Sequence, residues 1–222
     1  MKKMINALAK FFSYGCLHCG SCVKSKKIIL CPLCEYQMKY YDPIPSPHII
    51  SAVTYSNAQS RTLIHYMKDN YDPYVFHYAA KLIKNKFDEL GITESLEDFS
   101  ITYAPRNPLN LLKMRFDHAK EIADFLSFEL FGNDSQKLLS LFDRYPFADE
   151  QKTLNLKKRR ENALQIFSLK ENVTVPKRVI IVDDVTTTGS TLFALRDLLF
   201  KAGTKDCILC TVAVNDNRPT YF

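Results

Sequence analysis

Apolar strand-like runs alternate with amphipathic helical stretches along this chain of 222 residues. Continuous or β-branched apolar runs are typical of strands, whereas apolar positions spaced three and four apart are typical of helices. The predicted strands are HIISAVTYS, FSITYAP, KLLSLFD, KRVIIVDDV and DCILCTVAV. The predicted helices are NAQSRTLIHYMKDN, DPYVFHYAAKLIKNKFDELG, DHAKEIADFLSFELFG and STLFALRDLLFKAG. Strands that alternate with helices predict an α/β domain built on a parallel sheet.

Two stretches interrupt this alternation. Residues from Pro105 to about Arg115 are predicted to form a polar loop after a strand that the proline ends. The segment RYPFADEQKTLNLKKRRENALQIFSL is predicted to combine a loop with a basic helix.

The N-terminal region differs from the rest of the chain in its cysteine and proline content. Five of the seven cysteines lie between Cys16 and Cys34, and Pro43, Pro45 and Pro47 follow them. Closely spaced prolines form a stiff linker. The chain is therefore predicted to consist of a small module at 1–45 and a main domain at 46–222.

The cysteine spacing C-x2-C-x11-C-x2-C predicts a metal site. Each C-x-x-C pair can offer two thiolates to one tetrahedral Zn²⁺. The predicted ligands are Cys16, Cys19, Cys31 and Cys34. Four protein ligands leave no open position, so the zinc is expected to be structural in a module that has almost no core of its own. Cys22 could form an alternative ligand pair with Cys19. Disulfide bonds are the weaker alternative to a metal site, because the rest of the chain resembles a cytosolic enzyme.

The other two cysteines, Cys207 and Cys210, are not predicted to bind a metal. Residues three apart on a strand point to opposite faces, so these thiols cannot chelate one ion, and buried packing is expected. Four histidines without a recognisable partner are expected to be structural or surface residues: His18, His48, His65 and His77.

The formal net charge of +6 lies entirely in the first 30 residues, which contain six lysines and no acidic residue. The other 24 of the 30 Lys and Arg balance the 24 Asp and Glu. An electropositive end favours an anionic partner such as nucleic acid or phosphate. A solvated surface, partly neutralised by metal-bound thiolates, is the alternative explanation.

The first 16 residues, MKKMINALAKFFSYGC, combine lysines with apolar residues. Asn6 and Lys10 interrupt the apolar run that a signal peptide needs, so an amphipathic helix is the better prediction. No window approaches 18 unbroken apolar residues, and no transmembrane segment is expected.

The stretch VIIVDDVTTTGST at 179–191 places two carboxylates, several hydroxyls and one glycine behind four aliphatic residues. Ligands of a parallel sheet bind beyond the carboxyl ends of its strands, where Asp183 and Asp184 are expected. The loop then enters a helix directly, so that its N–H groups and the helix dipole form a cradle for a phosphate. The predicted phosphate-binding residues are Thr186, Thr187, Thr188, Gly189, Ser190 and Thr191. Because the aspartates can accept hydrogen bonds from sugar hydroxyls or hold Mg²⁺, the stretch predicts a site for a phosphorylated sugar.

This stretch resembles the phosphoribosyl pyrophosphate (PRPP) signature of type I phosphoribosyltransferases, with Thr186 where an aliphatic residue is usual. The resemblance implies a type I phosphoribosyltransferase-like parallel-sheet domain that binds PRPP with Mg²⁺ on the pyrophosphate. Asp183 and Asp184 are then the catalytic residues that hold the ribose, and residues 187–191 hold its 5′-phosphate. A helix-capping Thr-Gly loop is the alternative, but such a loop does not need paired aspartates.

A zinc ribbon in front of such a domain resembles the ComF family, which is linked to natural competence for DNA uptake. Pro105 and Arg106, followed by RFDHA at 115–119, look like the family's proline followed by R-G-F-N-Q-A. Asp117 and His118 replace the family's Asn and Gln, and Arg115 stands where Gly is usual.

A later segment, at 151–167, is similar to the family's Q-x-x-L…R…N…F pattern. The similarity makes Gln151, Arg160 and Asn162 candidates for the nucleotide side of the cleft. A basic helix that faces solvent is the alternative.

The resemblance also suggests how a transferase reaction would proceed. A nucleophile would displace pyrophosphate at the anomeric carbon through an oxocarbenium-like state, mainly by positioning and charge stabilisation. Lys68 and either Arg106 or Arg115 are predicted to bind the pyrophosphate, and each is otherwise a surface charge. No acceptor pocket is recognisable in the sequence.

Two functions are therefore expected from the resemblance. The first is a cytoplasmic competence protein, at most peripheral to the inner membrane, that binds PRPP, contacts single-stranded DNA and has a competence-associated DNA helicase as a partner. The second is an active phosphoribosyltransferase with an unidentified nucleobase-like acceptor. DNA contact would use the N-terminal lysines and nearby aromatic residues, which otherwise pack the module onto the main domain. Those aromatic residues are Phe11, Phe12, Tyr14, Tyr36, Tyr40 and Tyr41.

Overall fold

The computed structural model describes residues 14–38, 48–114, 116–134, 137–145 and 166–215. Its strands are β1 (Tyr14–Gly15), β2 (Cys22–Val23), β3 (Ile49–Thr54), β4 (Ser100–Tyr103), β5 (Phe142–Arg144), β6 (Phe167–Leu169), β7 (Arg178–Thr186) and β8 (Asp206–Val214). Its helices are α1 (Pro32–Gln37), α2 (Ala58–Asp69), α3 (Pro73–Glu89), α4 (Pro108–Met114), α5 (His118–Phe131) and α6 (Ser190–Lys201), and a 3-10 turn spans Thr93–Ser95. In these ranges, no helix is both long and apolar enough to cross a membrane.

Several sequence predictions lie outside the described residues. They are the N-terminal helix with Phe11 and Phe12, the proline linker with Tyr40 and Tyr41, Arg115, and the candidates Gln151, Arg160 and Asn162.

The central sheet has four parallel strands in the order β3-β8-β7-β4. The predicted α/β class with a parallel sheet is therefore confirmed. Strand β7 lies inside the sheet, between β8 and β4. Its residues Val179 to Val182 are fully buried, because both faces of this sheet are covered.

The apolar residues of β7 alternate between two cores. Ile180 and Val182 pack into a core with buried residues of α2, α3 and α5. Val179 and Ile181 pack into a second core with buried residues of α6 and with Phe142 and Phe167 of the β5-β6 pair. Alternate residues of a strand face opposite sides, so one apolar run holds both layers together.

Polar caps begin three of the helices that cover the sheet. Asn57 accepts hydrogen bonds from the backbone N–H groups at the start of α2, Asp72 does so for α3, and Asp117 does so for α5. Pro73 also occupies the first turn of α3, where its missing N–H has no intrahelical partner to lose. The predicted helices are therefore confirmed at nearly their expected bounds.

The predicted polar loop after Pro105 is wrong in part, because it contains α4. Asn107 accepts a hydrogen bond from the backbone N–H of Leu109 at 2.9 Å, and Pro108 starts the helix. Asparagine followed by proline is a helix-start signal that the polar appearance of the stretch conceals.

The predicted strand KLLSLFD is also only partly correct. Leu138 makes a single bridge to Ile101, and the regular strand β5 begins only at Phe142. Strand β5 pairs antiparallel with β6, which lies where a basic helix was predicted to end. Both short strands are stabilised by burial of Phe142 and Phe167 in the second core rather than by local propensity.

The cysteine-containing module packs directly on α2 of the main domain. His18 Nδ1 lies 2.9 Å from the Thr62 hydroxyl, and Gln59 donates to the Gln37 side chain at 3.1 Å. Buried residues of the module, including Leu30, belong to the same core as α2 and α3. The module and the main domain therefore share one hydrophobic core.

Candidate functional site

Asp183 and Asp184 lie near the carboxyl end of β7, which continues to Thr186. The backbone N–H of Asp184 donates to Asp183 Oδ1 at 2.9 Å, and that of Val185 donates to Asp184 Oδ1 at 2.7 Å. Each carboxylate therefore uses one oxygen to hold its own position and keeps the other for different partners.

The loop after β7 turns sharply at Gly189, which has a φ of 72°. A Cβ at this position would lie 2.5 Å from Ile49 Cδ1 and 2.7 Å from Phe193 Cε2. The buried Thr186 hydroxyl accepts a hydrogen bond from the Gly189 N–H at 3.0 Å, which explains why a threonine suits a position where the PRPP signature has an aliphatic residue. Any other residue here would need a left-handed backbone conformation and would also displace the Ile49 and Phe193 side chains.

The hydroxyls of the loop have different environments. Thr187 and Thr188 are exposed, and the Thr188 hydroxyl lies 2.8 Å from that of Ser190. Thr191, in the first turn of α6, lines a pocket together with both aspartates. The loop therefore places its hydroxyls at the helix N-terminus beside the pocket, where backbone N–H groups favour anions.

A pocket of about 190 Å³ brings together side chains from six parts of the chain. Its acidic residues are Asp183, Asp184 and Asp117, and its basic residues are Lys68, Arg106 and Arg144. Ala104, Pro105, His118, Ala119 and Thr191 complete its wall. The structure thus groups the predicted Lys68 and Arg106 with the aspartates, and it adds residues that the sequence analysis did not find.

Three of those additional residues have polar groups aimed at this region. Asp117 is buried, caps α5, and accepts a hydrogen bond from the Arg106 backbone N–H at 2.9 Å. His118 Nδ1 lies 3.6 Å from Asp184 Oδ2. Arg144 ends β5 and donates a long hydrogen bond of 3.4 Å to the Pro105 carbonyl. Asp117, the first residue of DHAKEI, is of a type that commonly caps helices, but nothing local linked His118 or Arg144 to β7.

The pocket gives the two neighbouring aspartates different pKa values. Burial by itself raises the pKa of Asp184, but His118 and the charge of Lys68 outweigh burial and hold it below its ordinary value. Burial, reinforced by the charge of Asp184, raises the pKa of Asp183 well above its ordinary value. Asp184 is therefore the carboxylate of the pair, and Asp183 retains its proton more readily.

A larger pocket of about 770 Å³ adjoins the first and shares Pro105, Arg106, Asp117 and Arg144 with it. Aromatic side chains contribute much of its wall: Tyr71, Tyr103, Phe116 and Phe142. Lys170 and the Tyr103 hydroxyl both donate to the Ser140 hydroxyl, at 2.7 and 2.9 Å. The two pockets together form one cleft that is polar at the aspartates and more apolar farther away.

The four predicted zinc ligands converge in the N-terminal module. The Sγ atoms of Cys16, Cys19, Cys31 and Cys34 all lie within 4.8 Å of one another. Cys19 Sγ and Cys31 Sγ are 3.7 Å apart, close to the S···S edge of about 3.8 Å that a tetrahedron with Zn–S bonds of about 2.3 Å has. The cluster can hold one metal ion, and the cysteines are free thiols rather than disulfides.

The thiols of the cluster differ in their pKa values. The Ser21 side chain lowers the pKa of Cys19 to about 6. Burial and the neighbouring thiols raise the pKa of Cys34. A central cation would stabilise all four residues as thiolates, so the donor set fits Zn²⁺.

The CILC cysteines lie in β8, as predicted. Cys210 is fully buried in the first core, and Cys207 packs against the second. Because the two side chains belong to different cores, they face opposite sides of the sheet and cannot chelate one ion.

Comparison with known proteins finds two similar competence proteins. No family model matches the chain. The chain is 25% identical to competence protein ComFC of Streptococcus pneumoniae, over 85% of this chain and 77% of that protein. It is 27% identical to competence protein F of Haemophilus influenzae, over 90% of this chain and 96% of that protein. The chain is therefore similar to competence proteins of the ComF kind over most of its length.

Solved structures similar to this chain include phosphoribosyltransferases. A hypoxanthine phosphoribosyltransferase from Staphylococcus aureus has a TM-score of 0.37 and 12% identity, over 66% of this chain and 67% of that one. A hypoxanthine-guanine phosphoribosyltransferase from Bacillus anthracis has a TM-score of 0.34 and 14% identity, over 72% and 70%. TM-scores this low say nothing about the site, which rests on the side chains described above.

Proposed function

We propose that this chain binds PRPP together with Mg²⁺ in the pocket at the end of β7. The observation that carries the proposal is the grouping of two adjacent carboxyl groups with Lys68, Arg106 and Arg144 around one pocket. Oxygen ligands suit Mg²⁺ and sugar hydroxyls, whereas Lys and Arg suit phosphates. A ligand that carries a diol and several phosphates uses both kinds of group.

Each part of PRPP has candidate partners in this arrangement. The charged Asp184 and the more readily protonated Asp183 can accept from and donate to the ribose hydroxyls. The loop at 187–191 and the N-terminus of α6 can hold the 5′-phosphate. Lys68, Arg106 and Arg144 can hold the pyrophosphate, whose negative charge also allows Mg²⁺ to approach a pocket with three cations.

Mg²⁺ fits the donor set, with the carboxylate of Asp184 as its protein ligand. When bound, the ion would neutralise negative charge on the pyrophosphate. Calorimetric titration of PRPP with Mg²⁺ into zinc-loaded protein tests the proposal. Saturable binding supports it, and the absence of binding to folded, zinc-loaded protein contradicts it.

We further propose that the module contacts single-stranded DNA and so supports transport of transforming DNA in the cytoplasm. Lys24, Lys26 and Lys27 are exposed, as are Tyr14 and Tyr36, at 47% and 89%. Exposed aromatic rings beside lysines can stack on bases while the lysines contact phosphates. Both similar curated proteins are named competence proteins, which supports this role. A competence-associated DNA helicase is the protein partner that we propose.

The alternative function is phosphoribosyl transfer to a planar, nucleobase-like acceptor. The observation that favours it is the larger aromatic pocket, which shares Arg106 and Arg144 with the aspartate pocket. Release of pyrophosphate from PRPP in the presence of candidate bases, measured against the same mixture with Asp184→Asn, separates turnover from binding alone.

A further inference from the structure

His118 is the first residue of α5, and only 5% of its side chain is exposed. A buried imidazole needs polar partners, since leaving a buried polar group without them is unfavourable. The partners of His118 are both residues of the proposed PRPP site.

The first partner is Arg106. Its Nη1 atom lies 2.8 Å from Nε2 and 3.0 Å from Nδ1 of His118. A guanidinium can only donate hydrogen bonds, so the imidazole serves as the acceptor. The Arg106 backbone N–H also donates to the Asp117 carboxylate at 2.9 Å. Two consecutive residues at the start of α5 therefore hold both the backbone and the guanidinium of Arg106.

The second partner is Asp184, whose Oδ2 lies 3.6 Å from His118 Nδ1. This separation is too long for a direct hydrogen bond, but a neutral imidazole that accepts from Arg106 with one nitrogen can direct the N–H of the other towards this carboxylate. Within the described part of the chain, Asp184 has its short contact with His118, and no contact with the Arg106 guanidinium is found. The imidazole therefore contacts a cation directly and lies close to an anion of the same pocket.

Packing fixes the orientation of this ring. Phe76 lies nearly parallel to it, with centroids 6.4 Å apart, and Phe116 meets it edge to face at 5.2 Å. Aromatic contacts on two sides restrict the rotamer of a buried ring. The nitrogens are consequently held towards Arg106 and Asp184.

We propose that His118 is a positioning residue that keeps Arg106 and Asp184 apart and ready for the ligand. A guanidinium and a carboxylate in direct contact form a bidentate pair, which would cancel both charges. With the imidazole as a neighbour of both, the Arg106 guanidinium stays available for a phosphate and the Asp184 carboxylate for a hydroxyl or Mg²⁺. This inference rests on the proposed binding of PRPP.

The test compares PRPP affinity, measured by calorimetry with Mg²⁺, for the unaltered chain and for variants at position 118. His118→Phe keeps the aromatic packing but removes both polar contacts, and we expect the affinity to fall about tenfold or more. His118→Gln can still accept from Arg106 and donate towards Asp184, and we expect it to bind within about threefold of the unaltered chain. His118→Ala is measured alongside, so that a folding defect in one apolar variant does not remove the test.

A double-mutant cycle distinguishes positioning from a merely structural role. If His118 acts through Arg106, His118→Phe should have little further effect in an Arg106→Ala background, because the residue it positions is already gone. Equal affinity of His118→Phe and the unaltered chain, or fully additive losses in the double variant, overturns the inference alone. Absence of PRPP binding by the unaltered chain overturns the proposed function, and the inference with it.

Discussion

Asp183 and Asp184 are adjacent residues of one strand, yet their surroundings shift their pKa values in opposite directions. Asp184 faces His118 at 3.6 Å and the charge of Lys68, whereas burial and the charge of Asp184 dominate for Asp183. Like charges so close together are not easily both ionised. The pair can therefore offer one acceptor and one donor to a sugar diol.

Replacing Asp183 by asparagine should stabilise the ligand-free protein at neutral pH. In the unfolded chain the Asp183 carboxyl group ionises near its ordinary pKa of 3.8, whereas in the folded protein it keeps its proton to higher pH. The free energy of unfolding therefore decreases as the pH rises above 3.8. The amide side chain of the Asp183→Asn variant does not ionise, so it would avoid this loss and still accept the hydrogen bond from the Asp184 backbone. Thermal melts from pH 4 to 8 should show a melting-temperature advantage for Asp183→Asn that grows with pH. Asp124→Asn, at an exposed position of α5, is the control, and a constant or negative difference for Asp183→Asn contradicts the argument.

The cysteine cluster should bind one zinc ion per chain. Cys16→Ser and Cys34→Ser should each abolish zinc binding, because a hydroxyl is a poor replacement for a thiolate ligand. Cys207→Ser, the same change on β8, should leave the zinc content unaltered. Metal analysis of the purified variants checks this prediction, and full zinc in both ligand variants would show that the ligand set is wrong.

Gly189→Ala should be more harmful than the same change at another glycine with positive φ. Gly91 has a φ of 67° and free space around it. Gly91→Ala should therefore lower the free energy of unfolding only by the strain of a left-handed backbone, about 1–2 kcal/mol. Gly189→Ala adds overlap with Ile49 and Phe193. Thermal melts should therefore rank Gly189→Ala below Gly91→Ala, and only Gly189→Ala should weaken PRPP binding. Equal melting temperatures and affinities for the two variants would refute this account of the loop.

Single-stranded DNA should bind through the lysines of the module, and more weakly as salt rises. Replacing Lys24, Lys26 and Lys27 by Gln should lower the affinity for single-stranded DNA. It should also make the slope of log affinity against log salt concentration shallower by about 2, since each phosphate contact contributes about 0.7 to that slope. The matched control replaces three exposed lysines of the main domain, Lys177, Lys201 and Lys205. Lys177 and Lys205 directly precede β7 and β8, and Lys201 is the last residue of α6. Fluorescence anisotropy at several salt concentrations measures both sets. An unchanged slope in the module variant contradicts the proposed contact.

Local sequence signals predicted the features that depend on neighbouring residues. The apolar run before Asp183 predicts a buried strand because four consecutive aliphatic residues fill both faces of a covered sheet. The spacing of the cysteines predicts the cluster because two short knuckles can deliver four sulfurs to one centre. Lys68 and Arg106 were selected by resemblance, and the fold brings both to the aspartates.

The remaining features depend on contacts between distant parts of the chain. His118 meets Asp184 only because α5 packs beside β7, and Arg144 reaches the pocket only because β5 pairs with β6. No periodicity in the sequence encodes such meetings. The short helix α4 was missed for a different reason, since the Asn-Pro start signal lies inside a stretch that looks like a loop.

The central claim is that the Asp184 pocket binds PRPP with Mg²⁺, and calorimetric titration of matched variants tests it most directly. Asp184→Asn keeps the size of the side chain and can still accept from the Val185 backbone, but it loses the charge. The unaltered chain and Asp124→Asn should bind PRPP saturably, whereas Asp184→Asn should bind at least about tenfold more weakly at equal zinc content and circular dichroism. Equal affinity of Asp184→Asn and the unaltered chain, or no binding by folded and zinc-loaded unaltered protein, would contradict the claim.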